Sequence, residues 1–189
     1  MNYGKYKNVR NAAWHVLLDY NVKKLPVRVT EIAKKSGIKI VKNSDCNILT
    51  DEQIGMSILV NSKWYIVIDD NMSLQRIRFT IAHELGHIFL GHISPINRNG
   101  KTFEKPDEEI EADMFAARLL APACVLWGLN LHSTSEISKV CDISYESATY
   151  RAQRMEILYK RNKFLTNKLE EQVFSNFEDF IEQHNEGSK

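Results

Sequence analysis

The stretch RFTIAHELGHIFLGH, residues 78–92, contains the pattern H-E-x-x-H at His83, Glu84 and His87. Its apolar residues recur at helical spacing, which predicts a long helix that ends at Gly91. Histidines four residues apart lie on the same face of a helix, so both imidazole rings can reach one metal ion. Glu84 would lie beside that ion, where its carboxylate could accept a proton from water.

A third protein ligand is expected, because catalytic zinc sites combine three protein ligands with one open position. His92 comes five residues after His87. The metzincin pattern instead requires a glycine three residues on and a histidine six residues on, so this chain is not a metzincin. His92 is therefore predicted to be a surface histidine at the helix end, where its charge would suit the helix dipole.

A second helix is predicted from about Asp107 to Leu120, ending before Pro122, and the stretch EEIEADMFAARLLAP at residues 108–122 offers carboxylates. Glu109 and Asp113 are four positions apart and share one face. Glu109 can thus bind zinc while Asp113 accepts the second ring N–H of a zinc-bound histidine. Glu111 points to another side of the helix and remains an alternative ligand under a different helix rotation.

The surrounding segments predict an α+β fold in which helices enclose a small, mainly antiparallel sheet. Two β-rich runs, 56–60 and 64–68, read as a hairpin just before the motif helix. We expect the strand Trp64–Ile68 to offer a free edge along which an extended substrate adds a strand. Further predicted helices cover residues 8–20, 31–36, 133–140, 145–159 and 169–184.

Composition excludes several classes of protein. The chain has 189 residues, of which 43% are hydrophobic, so it is not a wholly disordered protein. Its net charge of +1 gives it no overall electrostatic preference for a charged partner. Cys46, Cys124 and Cys141 form no C-x-x-C pair, and the start of the chain has no apolar signal core. These features predict a cytoplasmic protein with reduced thiols and no membrane association.

Taken together, the stretches 78–92 and 108–122 resemble the ImmA/IrrE metallopeptidases, zinc-dependent proteins of bacteria, phages and mobile elements. The resemblance covers about residues 25–158, and it departs at Ala121, where the family often has methionine. It implies a gluzincin-like endopeptidase domain that needs Zn²⁺. By the family pattern, the zinc ligands fall on His83, His87 and Glu109, and the catalytic carboxylate falls on Glu84.

We expect three regions: an N-terminal helix over 1–24, a zincin-like metallopeptidase domain over 25–131, and a C-terminal helical region over 132–189. Family members that act as switches cut a helix-turn-helix transcriptional repressor and release the genes under its control. The resemblance therefore implies a zinc metallo-endopeptidase whose protein substrate is such a repressor, that is, an anti-repressor protease.

A second hypothesis is a regulator that binds protein or DNA without cutting it and holds zinc in a structural role. The segment Glu136–Met155 has the rhythm of a helix-turn-helix. However, its turn lacks the usual glycine, and Lys139 is the only basic residue on its first helix. The segment is therefore predicted to pack or to dock a partner rather than to bind nucleic acid directly.

Overall fold

The structure, a computed structural model, describes residues 3–92 and 106–187. Its secondary structure runs in the order α1 Tyr3–Asp19, α2 Val29–Lys35, β1 Lys39–Lys42, α3 Asn43–Cys46, β2 Gly55–Val60, β3 Lys63–Ile68, α4 Leu74–Leu90, α5 Pro106–Leu120, α6 Ala123–Gly128, α7 Thr134–Cys141, α8 Tyr145–Arg161, α9 Lys168–Asn176 and α10 Glu178–Glu186. The α+β class predicted from the sequence is confirmed. None of the described helices is both long and apolar enough to cross a membrane.

The sheet has three strands in the order β1-β3-β2. The predicted hairpin is confirmed, since β2 and β3 pair antiparallel with Gly55 opposite Ile68 and Val60 opposite Lys63. β1 pairs parallel with β3, so the sheet is mixed. The expectation that Trp64–Ile68 offers a free edge is wrong, because β3 is the central strand and both of its sides are paired.

Helix α4 begins and ends where its sequence predicts. Ser73 caps the start, and its hydroxyl accepts a hydrogen bond from the Arg76 N–H. Gly91 adopts a left-handed conformation with φ of 74° and donates its N–H to the carbonyls of His87 and Ile88. Both ends of the helix are thus fixed by local hydrogen bonds.

The chain divides into two compact units, each with its own buried apolar residues. The first unit comprises residues 1–12 and 29–116 and holds the sheet, α4 and most of α5. Its fully buried side chains include Ile32, Ile66, Ile81, Leu85 and Phe115. The second unit comprises residues 13–28 and 117–189 and is helical. Its fully buried side chains include Leu17, Leu120, Leu126, Ile137 and Phe177. The predicted three-region division remains a prediction.

Candidate metal centre

The two motif histidines meet on one face of α4. The Nε2 atoms of His83 and His87 are 3.0 Å apart, and their ring centroids are 4.7 Å apart. Both side chains are largely shielded from solvent. The i, i+4 spacing therefore has the consequence expected of it, which is that two imidazole nitrogens point at one place.

Glu109 on α5 completes the cluster. One carboxylate oxygen, Oε2, lies 3.2 Å from His83 Nε2, and the other, Oε1, lies 3.1 Å from His87 Nε2. Zinc ligands at about 2.0–2.2 Å in a tetrahedral site stand about 3.3–3.6 Å from one another. Each Nε2 atom thus stands near this spacing from one of the two Glu109 oxygens, and one ligand atom from each of the three residues lies within 4.8 Å of the others. Two imidazoles with one carboxylate are a donor set that zinc accepts.

The charges around the rings favour a cation. Burial lowers the pKa of His83, but the hydrogen bond to Asp113 and the charges of Glu84, Asp113 and Glu109 outweigh burial and raise this pKa above its ordinary 6.5. Burial, together with the neighbouring rings of His83 and His92, lowers the pKa of His87 to about 4. His87 is therefore neutral at pH 7, as a metal ligand must be.

Asp113, the residue predicted to accept from the second ring nitrogen of a zinc-bound histidine, contacts His83. The Oδ1 atom of Asp113 is 2.8 Å from His83 Nδ1. A carboxylate can only accept a hydrogen bond, so Nδ1 carries a ring proton. When the ring is neutral, as a metal ligand must be, its lone pair is then on Nε2, the atom that faces Glu109. The face shared by Glu109 and Asp113 thus serves both nitrogens of one histidine.

His92 does not have the surface position predicted for it. Its side chain is buried; Nδ1 lies 3.3 Å from His87 Nδ1, and Nε2 lies 3.0 Å from Glu111 Oε2. The left-handed Gly91 turns the chain back on the helix, so that the His92 N–H bonds to the His87 carbonyl at 2.9 Å. Glu111, the alternative ligand, contacts His92 and is not part of the three-residue ligand cluster.

Glu84 is buried beside the cluster, and the start of β2 passes close to it. A Cβ atom placed on Gly55 would lie 3.6 Å from Glu84 Oε1 and would collide with the Cγ2 methyl of Thr80. Only glycine allows this approach between strand and helix. Sequence reasoning missed Gly55 and Thr80, although a glycine that opens a β-rich run was an available signal.

A second glycine allows α5 to approach α4. A Cβ atom on Gly86 would lie 3.2 Å from the Ala112 Cα and 3.1 Å from Phe115 Cδ1. The small residues Gly86 and Ala112 thus let the two helices come close where Glu109 and Asp113 reach the histidines. The rings of Phe89 and Phe115, with centroids 6.2 Å apart, flank this contact.

A family model for Peptidase_M78, the IrrE N-terminal-like domain, matches residues 33–153, which include every residue of the cluster. The chain belongs to this family. The resemblance to ImmA/IrrE proteins inferred from the sequence is therefore confirmed, and the chain carries a metallopeptidase-type domain. No curated protein matches the chain in sequence.

Among solved structures, this IrrE-like chain is similar to a Mycobacterium tuberculosis transcriptional regulator, with a TM-score of 0.55 and 13% sequence identity. The match covers 77% of this chain and 46% of that one, so the chain spans less than half the length of the regulator. At this identity, the likeness concerns the fold alone. It agrees with the α+β class.

Proposed function

We propose that the chain is a zinc-dependent endopeptidase that hydrolyses a peptide bond in a regulatory protein. The observation that carries this proposal is the convergence of His83, His87 and Glu109 within 3.2 Å of one another, next to the buried Glu84. His83, His87 and Glu109 would hold the zinc ion. When bound, zinc supplies Lewis acidity to the scissile carbonyl and makes water a stronger nucleophile at neutral pH.

Glu84 is the general base and then the general acid. Its carboxylate accepts a proton from the attacking water as the water oxygen bonds to the carbonyl carbon. When the C–N bond breaks, the same carboxyl returns that proton to the leaving amine nitrogen. Because Glu84 follows His83 on the helix, it lies next to the ligands without being one of the three.

The substrate strand is proposed to lie along β2. Within the described ranges, β2 pairs only with β3, and the start of β2 at Gly55 lies next to Glu84. An extended peptide that hydrogen-bonds to this edge would bring a main-chain carbonyl to the ligand cluster. Because main-chain bonds are independent of side chains, sequence preference would then come from pockets for alternate side chains.

The proposed substrate is a helix-turn-helix transcriptional repressor in the same cytoplasm, which would make the chain an anti-repressor protease of a phage or mobile element. The family resemblance supports this, and so does the fold neighbour, which is named a transcriptional regulator. Cys46, Cys124 and Cys141 form no disulfide bonds in the part of the chain that the structure describes, as suits a reducing compartment.

The test compares wild type, Glu84→Gln and His83→Ala for zinc content by native mass spectrometry and for cleavage of a helix-turn-helix repressor encoded beside the protein. We expect one zinc per chain in wild type and in Glu84→Gln, with cleavage lowered by about 10²–10⁴-fold in the latter. His83→Ala should lose both. Glu146→Gln, at the exposed start of α8, is the matched control. Cleavage by Glu84→Gln at the wild-type rate would contradict the assignment.

A non-cleaving regulator is the second candidate, and one observation favours it. Helix α8 exposes Tyr145, Tyr150 and Ile157, which are large side chains suited to a protein contact. In that case, zinc would be structural, and Glu84→Gln would retain the full biological effect. The variant that tests the peptidase therefore also separates the two candidates.

A further inference from the structure

Both motif histidines have their second ring nitrogen occupied, but by different partners. His83 Nδ1 contacts Asp113 directly at 2.8 Å. His87 Nδ1 contacts His92 Nδ1 at 3.3 Å, and His92 Nε2 contacts Glu111 Oε2 at 3.0 Å. The His87 side of the cluster thus has a two-residue chain where the His83 side has one carboxylate.

We propose that His92 and Glu111 are positioning residues that fix the tautomer and the orientation of His87 for metal binding. This inference rests on the proposed metal site and assigns a role to two residues outside its ligand set. Neither residue contacts the ion in this proposal. They act through the His87 ring, as outer partners of metal-binding histidines do.

The direction of the hydrogen bonds in this chain is set at its end. The Glu111 carboxylate can only accept, so His92 Nε2 donates to it. A neutral His92 then has a lone pair on Nδ1, which accepts the N–H of His87 Nδ1. His87 is thereby left with its lone pair on Nε2, the atom that lies 3.0 Å from His83 Nε2 and 3.1 Å from Glu109 Oε1. No other arrangement of protons satisfies both contacts with neutral rings.

The backbone holds His92 in place for this role. Gly91, in its left-handed conformation, ends α4 and reverses the chain, and the His92 N–H bonds to the His87 carbonyl at 2.9 Å. The rings of His87 and His92 stand nearly edge to face, with centroids 5.2 Å apart. His92, which lies just beyond the end of α4, thus contacts His87 in the last turn of that helix.

The two outer partners differ in their exposure to water. The Asp113 side chain is 60% exposed, whereas those of Glu111 and His92 are 18% and 8% exposed. Water competes strongly for the exposed carboxylate and weakly for the shielded chain, so the hydrogen bonds on the His87 side constrain their ring more. We therefore expect metal binding to depend more on His92 and Glu111 than on Asp113.

Zinc affinity, measured on the full chain by competition with a chromophoric chelator, tests the proposal. His92→Ala and Glu111→Ala should each weaken zinc binding by about 10–100-fold. His92→Gln should restore most of the affinity, because its amide can accept from His87 and donate to Glu111. Asp113→Ala should weaken binding less than either. Asp107→Ala, which removes a charge from the exposed start of the same helix, is the control.

The double variant His92→Ala/Glu111→Ala separates a connected chain from two independent effects. If the two residues act through one another, the double variant binds zinc as tightly as whichever single variant has the lower zinc affinity. If the losses of zinc affinity instead multiply in the double variant, or if each single variant stays within twofold of wild type, the positioning role is overturned and the proposed function is left intact. Wild type that binds no zinc would overturn both. Circular dichroism of the metal-free variants confirms that each one folds.

Discussion

Two helix pairs in this molecule carry sequence motifs, and they differ in where most of their polar side chains lie. Between α4 and α5, polar side chains face inward and converge, with Glu84 buried beside His83 and His87. In α7 and α8, the buried residues are Ile137, Cys141, Ala148 and Met155, and polar side chains form caps at the helix ends.

This difference between the helix pairs indicates which of them is the better candidate for a chemical site. Burying polar groups costs free energy unless each one has a partner, so a fold that keeps them inside must satisfy them with one another or with a ligand. The α4–α5 pair meets that cost through contacts among its polar groups. The α7–α8 pair leaves its capping groups at exposed ends, but it also buries the Nε atom of Arg151, which has no hydrogen-bond partner in the described part of the chain. We expect the helix-turn-helix segment to pack or to dock a partner, whereas the H-E-x-x-H pattern lies where polar side chains converge.

Metal removal should produce the largest difference between the two pairs. A free ion concentration a thousandfold above the Kd stabilises the folded state by about 4 kcal/mol. A chelator abolishes that stabilisation. Because the ligands lie on α4 and α5, we expect amide hydrogen exchange to speed up most in peptides from these helices. Peptides from α7 and α8 serve as the internal reference.

His83→Ala controls for effects of the chelator itself, since its exchange pattern should not respond to chelation. Exchange in α4 and α5 that stays the same when zinc is removed from wild type would show that the cluster does not hold the ion. Equal acceleration of amide exchange in both helix pairs would instead show that the two pairs do not differ in their dependence on the metal.

Local sequence patterns predicted most of the elements and placed in two helices the side chains that converge in the structure. A capping serine and a terminal glycine fix the ends of α4, and spacings of four residues place His83 near His87 and Glu109 near Asp113. These are properties of a single helix, set by a period of 3.6 residues, and a sequence displays them directly.

What the sequence did not predict depends on contacts between distant segments. The central position of β3 follows from its parallel pairing with β1. The alternation of apolar and polar residues along a strand does not predict which strand lies in the middle of a sheet. His92 is buried because Gly91 turns it back onto α4, next to a carboxylate on α5. A spacing that excludes His92 as a metzincin ligand does not define its other contacts.

Two glycines offer an intermediate test of the contrast. Gly86→Ala would place a methyl 3.2 Å from the Ala112 backbone, which can yield only if α5 moves. We expect a loss of about 1–3 kcal/mol in the free energy of unfolding and weaker zinc binding, because Glu109 moves with α5. Gly128→Ala would meet the side chains of Phe174 and Ile181 at 2.6 and 2.9 Å.

The second variant should lose comparable stability but keep the zinc affinity of wild type, since its contacts lie among helices without ligands. Urea unfolding gives the stability, and chelator competition gives the affinity. If Gly86→Ala bound zinc as tightly as wild type, the close approach of α5 would be a matter of packing alone.

The smallest effect is expected at the cap of α7, where Ser133 and Glu136 bond reciprocally. The Glu136 N–H donates to the Ser133 hydroxyl oxygen, and the Ser133 N–H donates to the Glu136 carboxylate at 2.9 Å. The Ser133 hydroxyl, followed by its backbone N–H, holds the pKa of Glu136 below its ordinary value of 4.5. Ser133→Ala should therefore cost about 1 kcal/mol of unfolding free energy at pH 7.

This cost should depend on pH in one direction. Because the folded-state pKa of Glu136 is lowered, its contribution is complete above about pH 4.5 and is lost as pH falls through the folded-state value. The stability difference between wild type and Ser133→Ala should thus shrink in acid. Ser144→Ala is the matched control, since Ser144 caps α8 by accepting from the Ser147 N–H at 3.2 Å. That cap has no carboxylate partner, so its cost should stay constant, and a Ser133→Ala cost equally constant down to pH 3 would show that Glu136 does not contribute through its charge.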